Sequence, residues 1–382
     1  MTARVEKLSF MDGLKAIACM MVFNFHFINA FYCGIYSLNP TDFKLDSLER
    51  IIGTTPLNLL VGGKAGVKMF MVLSGFFVAY RFFKTKDTKS LGTSSFKKYF
   101  RLVLPILVVN IFIVLLMYFN FFQNAHASVV AKTQVFFGNY NQFSPNILDA
   151  VKEAVWGCFI NGSQQYNGPI WFIQYEFLGS IMMAALLALF GKTKARYVVY
   201  FVAGIVWIRS DYLAFLLGVM VCDATYSGEI FVERIKKHKW VLWIIFVMGL
   251  FLCSFPPIGD RMEGTIYQFF PLKIMLYYMV GCAMVLFAVL HLIPLQTILS
   301  WRGFRWFNRY SYCFFLLHFT VLCTFSSNMF LALEDKMNYH MLAVLNYILT
   351  FILTMVLAYL MHLFVEKPGI AVAEKITNKL MK

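Results

Sequence analysis

Long apolar runs alternate with short polar segments along the chain. A helix needs about 20 apolar residues to cross the hydrocarbon core of a bilayer, and about ten runs reach or approach that length. They lie near residues 10–31, 64–83, 101–122, 170–190, 196–208, 211–224, 239–255, 269–293, 306–328 and 341–365. The pattern predicts an all-α polytopic membrane protein with about ten transmembrane helices. Because no repeat of fixed period is visible, we expect one transmembrane domain over residues 1–382.

Two neighbouring runs, 196–208 and 211–224, are unusually short. At 1.5 Å per residue, a run of about 13 residues covers about 20 Å of a core that is about 30 Å thick. This segment therefore predicts either two short spans or one re-entrant hairpin that turns at Arg209 and Asp211.

The amino-acid composition excludes an ordinary soluble domain. Hydrophobic side chains make up 60% of the 382 residues and charged ones 14%, against roughly 45–50% and about 25% in soluble domains. The eight cysteines form no CxxC motif and no Cys/His cluster, so we expect no metal site. Lys15 interrupts the first apolar run, which favours a retained span over a cleaved signal peptide.

The positive charge of the chain reports its topology. A formal net charge of +15 would suggest nucleic acid as the partner of a soluble protein, but here the basic residues stand in short loops between apolar runs. If both termini are cytoplasmic, 23 of the 34 Lys and Arg residues lie on the inner side. This asymmetry predicts cytoplasmic termini. We also expect a multi-pass protein of the plasma membrane that contacts membrane lipids and has no nucleic-acid partner.

Two predicted outer segments are long, residues 32–63 and 123–169, and the second contains an amphipathic stretch from 147 to 160. We expect these two segments to form a cap over any cavity that opens to the outer side. Cys33 and Cys158 fall in these segments, where an oxidising exterior permits a disulfide between them.

Three ionisable residues interrupt the first span, namely Asp12, Lys15 and His26. An ionisable side chain at mid-membrane costs about 2.5–3.5 kcal/mol, so such residues are functional candidates. Eleven helical steps separate Lys15 from His26, which places both on one face about 16 Å apart. The alternative is structural: an Asp12–Lys15 pair at the inner surface and a histidine that only bonds a neighbouring helix.

Glu176 lies in the fourth span, which begins at the outer side with Pro169. Helix rise places Glu176 about 9 Å and His26 about 6 Å below the outer boundary, so the two residues share a depth. A carboxylate beside an imidazole can orient a general base and stabilise its protonated form. The alternative is a structural glutamate paired with a basic residue.

Further polar residues could line the same cavity. Trp171 and Gln174 belong to the fourth span, and Ser311 lies seven residues before His318, on the same face of the ninth. His318 could instead pack among its apolar neighbours. Ser74 could be a covalent nucleophile, although a serine inside a helix usually bonds a backbone carbonyl.

Lys98 and Arg101 precede the third span at the predicted cytoplasmic surface. They are spaced i, i+3, and such a pair can clamp phosphate groups. The alternative is a solvated cluster that only reports topology.

Together these segments resemble acyltransferase family 3, whose members are integral-membrane acyltransferases of cell-surface glycans and some secondary metabolites. The matching pieces are Phe10 to Ala18 with His26, Gly66 to Phe77, Lys98 to Arg101, Gly168 to Phe172 with Glu176, Tyr310 to His318, and Val365 to Pro368. They follow the family's order over nearly the whole chain. The chain departs from the pattern where Lys15 and Lys98 replace arginines, which keeps the charge but loosens the geometry. No esterase-like domain follows the last piece, so we expect a stand-alone form.

The resemblance implies a mechanism. Acyl-CoA, with acetyl as the expected acyl group, would bind through its phosphates to Lys15, Lys98 and Arg101. His26, oriented by Glu176, would then take the proton from a hydroxyl of an extracytoplasmic glycan. The alternative from another class is an exporter of glycans or lipid-linked sugars, in which the same polar face lines a transport path.

Overall fold

The computed structural model describes residues 8–227, 230–256, 263–270 and 273–380. Helices account for 80% of the structure, and no strand occurs among the described residues. The first half contains α1 (Phe10–Phe31), α2 (Gly34–Ser37), α3 (Asp46–Thr54), α4 (Gly63–Thr85), α5 (Lys89–Tyr118), α6 (Asn124–Val130), α7 (Ile147–Lys152), α8 (Cys158–Ile160) and α9 (Trp171–Phe190). The second half contains α10 (Ala195–Val206), α11 (Tyr212–Tyr226), α12 (Ile230–Lys237), α13 (Lys239–Cys253), α14 (Ile274–His291), α15 (Ile293–Leu299), α16 (Arg302–Asn308), α17 (Ser311–Val321), α18 (Ser327–Leu333), α19 (Tyr339–Met361) and α20 (Lys367–Leu380).

Short 3₁₀ and π segments connect or extend these helices. The 3₁₀ segments are Pro40–Asp42, Pro56–Val61 and Gly168–Ile170, and the π segments are Gln134–Gly138, Glu153–Gly157, Leu322–Ser326 and His362–Glu366. The predicted amphipathic stretch 147–160 is helical throughout, since α7, the π segment at Glu153–Gly157 and α8 follow one another without a break.

Seven helical stretches of the described chain are long and apolar enough to cross a membrane. They are Phe10–Phe31, Gly63–Thr85, Lys97–Tyr118, Gly168–Phe190, Ile274–His291, Ser311–Leu333 and Tyr339–Thr377. The apolar helices α10, α11 and α13 are shorter, at 10–17 residues each. The prediction of an all-α polytopic membrane protein is therefore confirmed. The count of about ten spans and the cytoplasmic termini stay predictions, as does the choice between two spans and a hairpin for α10 and α11.

The chain divides into two compact units. The first unit comprises Met1–Met21, Thr55–Phe96 and Tyr175–Asn308, and the second comprises Val22–Thr54, Lys97–Gln174 and Arg309–Lys382. Helices α1, α5 and α9 contribute residues to both.

In the first unit, α4 and α11 cross at two glycines. A Cβ atom on Gly75 would lie 1.9 Å from the carbonyl oxygen of Phe215, and one on Gly218 would lie 2.0 Å from that of Val72. Only glycine leaves room for backbones this close, because any side chain would overlap the facing carbonyl. The crossing fixes the rotation of α4, on which Ser74 stands.

In the second unit, the segment 123–169 is hydrogen-bonded to the end of α1. Thr133 Oγ1 donates to the Ala30 carbonyl at 3.0 Å, and Cys33 Sγ donates to the Lys132 carbonyl at 3.5 Å. Cys158 is also a free, buried thiol and donates to the Ala154 carbonyl. The structure therefore contains no disulfide between Cys33 and Cys158, contrary to the possibility that their location allowed.

Glu49 organises the beginning of α3 in the second unit. Its side chain is only 1% exposed, and Oε1 accepts from the backbone N–H groups of Lys44 and Leu45 at 2.7 and 2.8 Å. Within the described residues, Oε2 has no hydrogen-bond partner. Burial of this carboxyl raises the pKa of Glu49 above its usual range, although the two backbone donors oppose the shift.

Candidate functional site

Two imidazole rings meet in the second unit. His26 projects from α1 and His318 from α17, and His318 Nε2 lies 2.9 Å from His26 Nδ1. The His318 side chain is only 1% exposed, whereas His26 is partly exposed. The sequence placed His318 among the cavity candidates, and the structure brings it directly to His26.

Backbone carbonyls define which ring nitrogens carry protons. His318 Nδ1 lies 2.7 Å from the Phe315 carbonyl, and His26 Nδ1 lies 3.0 Å from the Val22 carbonyl. Because a carbonyl oxygen can only accept, both Nδ1 atoms are donors. His318 Nε2 then accepts from His26 Nδ1–H. In the neutral pair this arrangement leaves the lone pair of His26 on Nε2, the form that a general base requires.

Aromatic rings surround His26 within the second unit. The ring centroids of Phe25 and Phe319 lie 5.2 and 5.1 Å from that of His26, both edge-on. Phe136 stacks on the imidazole at 6.3 Å with an interplanar angle of 28°. Phe136 belongs to the π segment Gln134–Gly138, and no periodic signal in the sequence pointed to it. The rings restrict the positions from which a partner can approach the imidazole.

Glu176 and Ser74 form a second polar pair, which lies in the first unit. Ser74 Oγ on α4 donates to Glu176 Oε1 on α9 at 2.6 Å. Both side chains are partly exposed, although the flanking residues Leu73 and Gly75 are buried. His26 and Glu176 belong to different units, so their predicted pairing stays a prediction.

Lys15 lies near this second pair. Its Nζ is 4.4 Å from the ring centroid of Phe77, which stands one helical turn after Ser74 on α4. Asp12, one turn earlier on α1, accepts from Asn308 Nδ2 through Oδ1 at 2.9 Å. The structure therefore brings the cation of Lys15 to the face of α4 that carries Ser74.

The remaining predicted site residues lie in the second unit. Lys98 and Arg101 are one turn apart on α5, as their spacing required. Gln174 Nε2 donates to the Ile160 carbonyl at 2.5 Å, so its amide supports the end of α8. Trp171 and Ser311 are the first residues of α9 and α17.

An ion pair that was not predicted from the sequence lies in the first unit. Lys68 Nζ lies 2.6 Å from Asp211 Oδ2, and the lysine side chain is only 2% exposed. Asp211 was expected only at a turn, and Lys68 lies in the matching piece Gly66 to Phe77. Within the described chain, no group of three or more His, Cys, Asp or Glu residues could hold a metal ion.

Comparison with known proteins supplies the family. A family model described as an acyltransferase domain matches residues 8–363, which is nearly the whole chain. No curated protein and no solved structure matches the chain. The matched range contains both polar pairs and every segment that carries the resemblance to acyltransferase family 3 except Val365 to Pro368. The chain belongs to that family.

Proposed function

We propose that this membrane acyltransferase moves an acetyl group from cytoplasmic acetyl-CoA to a hydroxyl of an extracytoplasmic glycan or a related surface or secondary metabolite. The observation that carries the proposal is the contact between His318 Nε2 and His26 Nδ1 at 2.9 Å. It supports a role for His26 as general base, because it leaves the Nε2 lone pair for a substrate proton.

In the reaction, His26 Nε2 takes the proton of the acceptor hydroxyl while the oxygen attacks the thioester carbonyl carbon. The carbon–sulfur bond then breaks, and the CoA thiolate takes the proton from His26. His318 is a positioning residue, since it acts on the acceptor through His26. The aromatic rings of Phe25, Phe136 and Phe319 pack around the imidazole, and such apolar surroundings strengthen electrostatic interactions. Glu176 as the carboxylate that orients His26 remains part of the proposal.

The donor is proposed to bind from the cytoplasmic side. The phosphate groups of an acyl-CoA are polyanionic, and Lys98 with Arg101 presents two cations one turn apart. Lys15 adds a third positive charge on α1. This arrangement requires cytoplasmic termini, which rest on the distribution of basic residues. A location in the plasma membrane is part of the proposal, because the acceptor is a surface glycan.

The test compares surface polysaccharide from cells with and without the gene, by release of ester-linked acetate with mild base. We expect acetate only when the gene is present. Membranes that contain the His26→Gln variant at equal protein abundance should show no acetate transfer. An unchanged acetate content in the deletion, or full transfer by His26→Gln, would contradict the proposal, and the second result would also suit an exporter that tolerates a polar isostere.

A further inference from the structure

The hydroxyl of Ser74 departs from the usual behaviour of a serine inside a helix. Such hydroxyls commonly bind the carbonyl four residues earlier, as Ser180 and Thr225 do in the same unit. Ser74 instead donates to another helix, to Glu176 Oε1 at 2.6 Å. An alcohol and a carboxylate at this distance form the nucleophile and base arrangement of covalent catalysis.

The surroundings of this pair also suit a reaction with an acyl group. Ser74, Glu176, Lys15 and Phe77 are all partly exposed. Ser74 and Phe77 share one face of α4, because residues three apart are neighbours on a helix. The ammonium group of Lys15 lies over Phe77 and brings positive charge to that face. Such a charge can stabilise the oxyanion of a tetrahedral intermediate.

We propose that Ser74 is a nucleophile that receives the acyl group from the donor thioester before the acceptor does. This inference rests on the proposed function and divides it into two half-reactions. In the first, Glu176 Oε1 takes the proton from Ser74 Oγ while Oγ bonds to the thioester carbonyl carbon. The carbon–sulfur bond breaks, and the CoA thiolate takes the proton from Glu176. Free CoA leaves, and Ser74 carries an oxygen ester.

In the second half-reaction, the acceptor hydroxyl attacks the ester carbonyl carbon. The bond to Ser74 Oγ breaks, and Oγ takes up a proton in place of the one that the acceptor loses. In this scheme Glu176 acts on Ser74, and this role replaces the orientation of His26 proposed above. A purely structural Ser74, whose hydroxyl only satisfies Glu176 Oε1, would never carry an acyl group.

The experiment uses the full chain with His26→Gln, because loss of the base proposed for the acceptor should let the ester accumulate. Purified protein is mixed with radiolabelled acetyl-CoA without acceptor, quenched in acid, denatured and digested, and each peptide is analysed by mass spectrometry. We expect about one acetyl group per protein molecule on Ser74 and an equal amount of free CoA. Adding Ser74→Ala should abolish the label. Adding Ser180→Ala, which also removes a helix hydroxyl of the same unit, should leave the label intact.

Two results would overturn the acyl-serine while leaving the proposed function in place. One is wild-type protein that transfers acetate to an acceptor while the His26→Gln protein carries no label on Ser74. The other is folded Ser74→Ala protein that transfers acetate at the wild-type rate. Wild-type protein that transfers no acetate at all would overturn the proposed function, and the inference with it.

Discussion

Replacing His26 with glutamine is the sharpest test of the proposed base. Glutamine retains polarity and similar length, but its amide cannot take and return a proton near neutral pH. A positioned base contributes about 10²–10⁴ in rate, which corresponds to about 3–5 kcal/mol of transition-state stabilisation. We therefore expect kcat for acyl transfer to fall by at least about 100-fold.

Replacing His318 should lower kcat much less than replacing His26, and the two contacts of His26 Nδ1 indicate by how much. His26 Nδ1–H contacts two acceptors, the Val22 carbonyl at 3.0 Å and His318 Nε2 at 2.9 Å. In His318→Phe the carbonyl still holds the proton, so only one hydrogen bond of about 0.5–1.5 kcal/mol is lost. That loss corresponds to about a 2–13-fold fall in kcat. His318→Gln can still offer an acceptor oxygen and should recover part of the rate.

The assay is acetate transfer in membranes, with kcat and KM measured separately and normalised to folded protein. His126→Gln is the matched control, since His126 is exposed and contacts Gln123. The double variant His26→Gln with His318→Phe should be no slower than His26→Gln alone, because residues that act as one unit are not additive. Fully additive losses, or a His318→Phe enzyme as slow as His26→Gln, would refute the positioning role.

Three further predictions address donor binding, the segment 32–63 and the crossing of α4 with α11. Lys98→Ala combined with Arg101→Ala should raise KM for acyl-CoA with kcat unchanged; an unchanged KM over a donor titration would reduce the pair to a topology signal. The pKa of Glu49 is higher in the folded protein than its value of about 4.3 in the unfolded chain. Between these two pKa values the native protein binds a proton that the unfolded chain has lost, so stability falls as pH rises through this range. Glu49→Gln keeps the Oε1 acceptor, and it should raise Tm at pH 7 and flatten this dependence in thermal unfolding; an unaltered profile would contradict the assignment. Gly75→Ala should lower stability by about 1–3 kcal/mol because its Cβ meets a facing carbonyl, whereas Gly92→Ala, with nothing within 4 Å of the added Cβ, should gain about 0.5–1 kcal/mol; equal Tm shifts would refute the packing argument.

The sequence predicted the long helices closely because their signal is local. The first apolar run, 10–31, coincides with Phe10–Phe31, and the run 64–83 lies within Gly63–Thr85. Spacing along one helix was also reliable, as the position of Lys98 one turn before Arg101 on α5 shows. These properties depend on the length of an apolar run and on helical periodicity, and both can be counted along the chain.

Partners on different helices could not be predicted in the same way. Helix rise gave Glu176 and His26 a common depth, but depth does not fix the rotation or tilt of either helix. The structure instead gives His26 a contact with His318 and Glu176 a contact with Ser74. Phe136 could not be predicted because it stands on a π segment inside the long segment 123–169, where neither helical nor alternating periodicity applies.

The kind of partner separates structural pairs from candidates for chemistry. In Lys68–Asp211 an ammonium and a carboxylate lie 2.6 Å apart, and each charge compensates the other inside the first unit. The contact of His26 with His318 uses Nδ1 and leaves the lone pair of Nε2 for a proton. The contact of Ser74 with Glu176 uses the hydroxyl proton and leaves the lone pairs of Oγ for a carbonyl carbon. A polar pair whose charges neutralise each other stabilises the fold. The His26–His318 and Ser74–Glu176 pairs instead leave lone pairs on Nε2 and Oγ, which an acyl transfer needs to take a proton and to attack a carbonyl carbon.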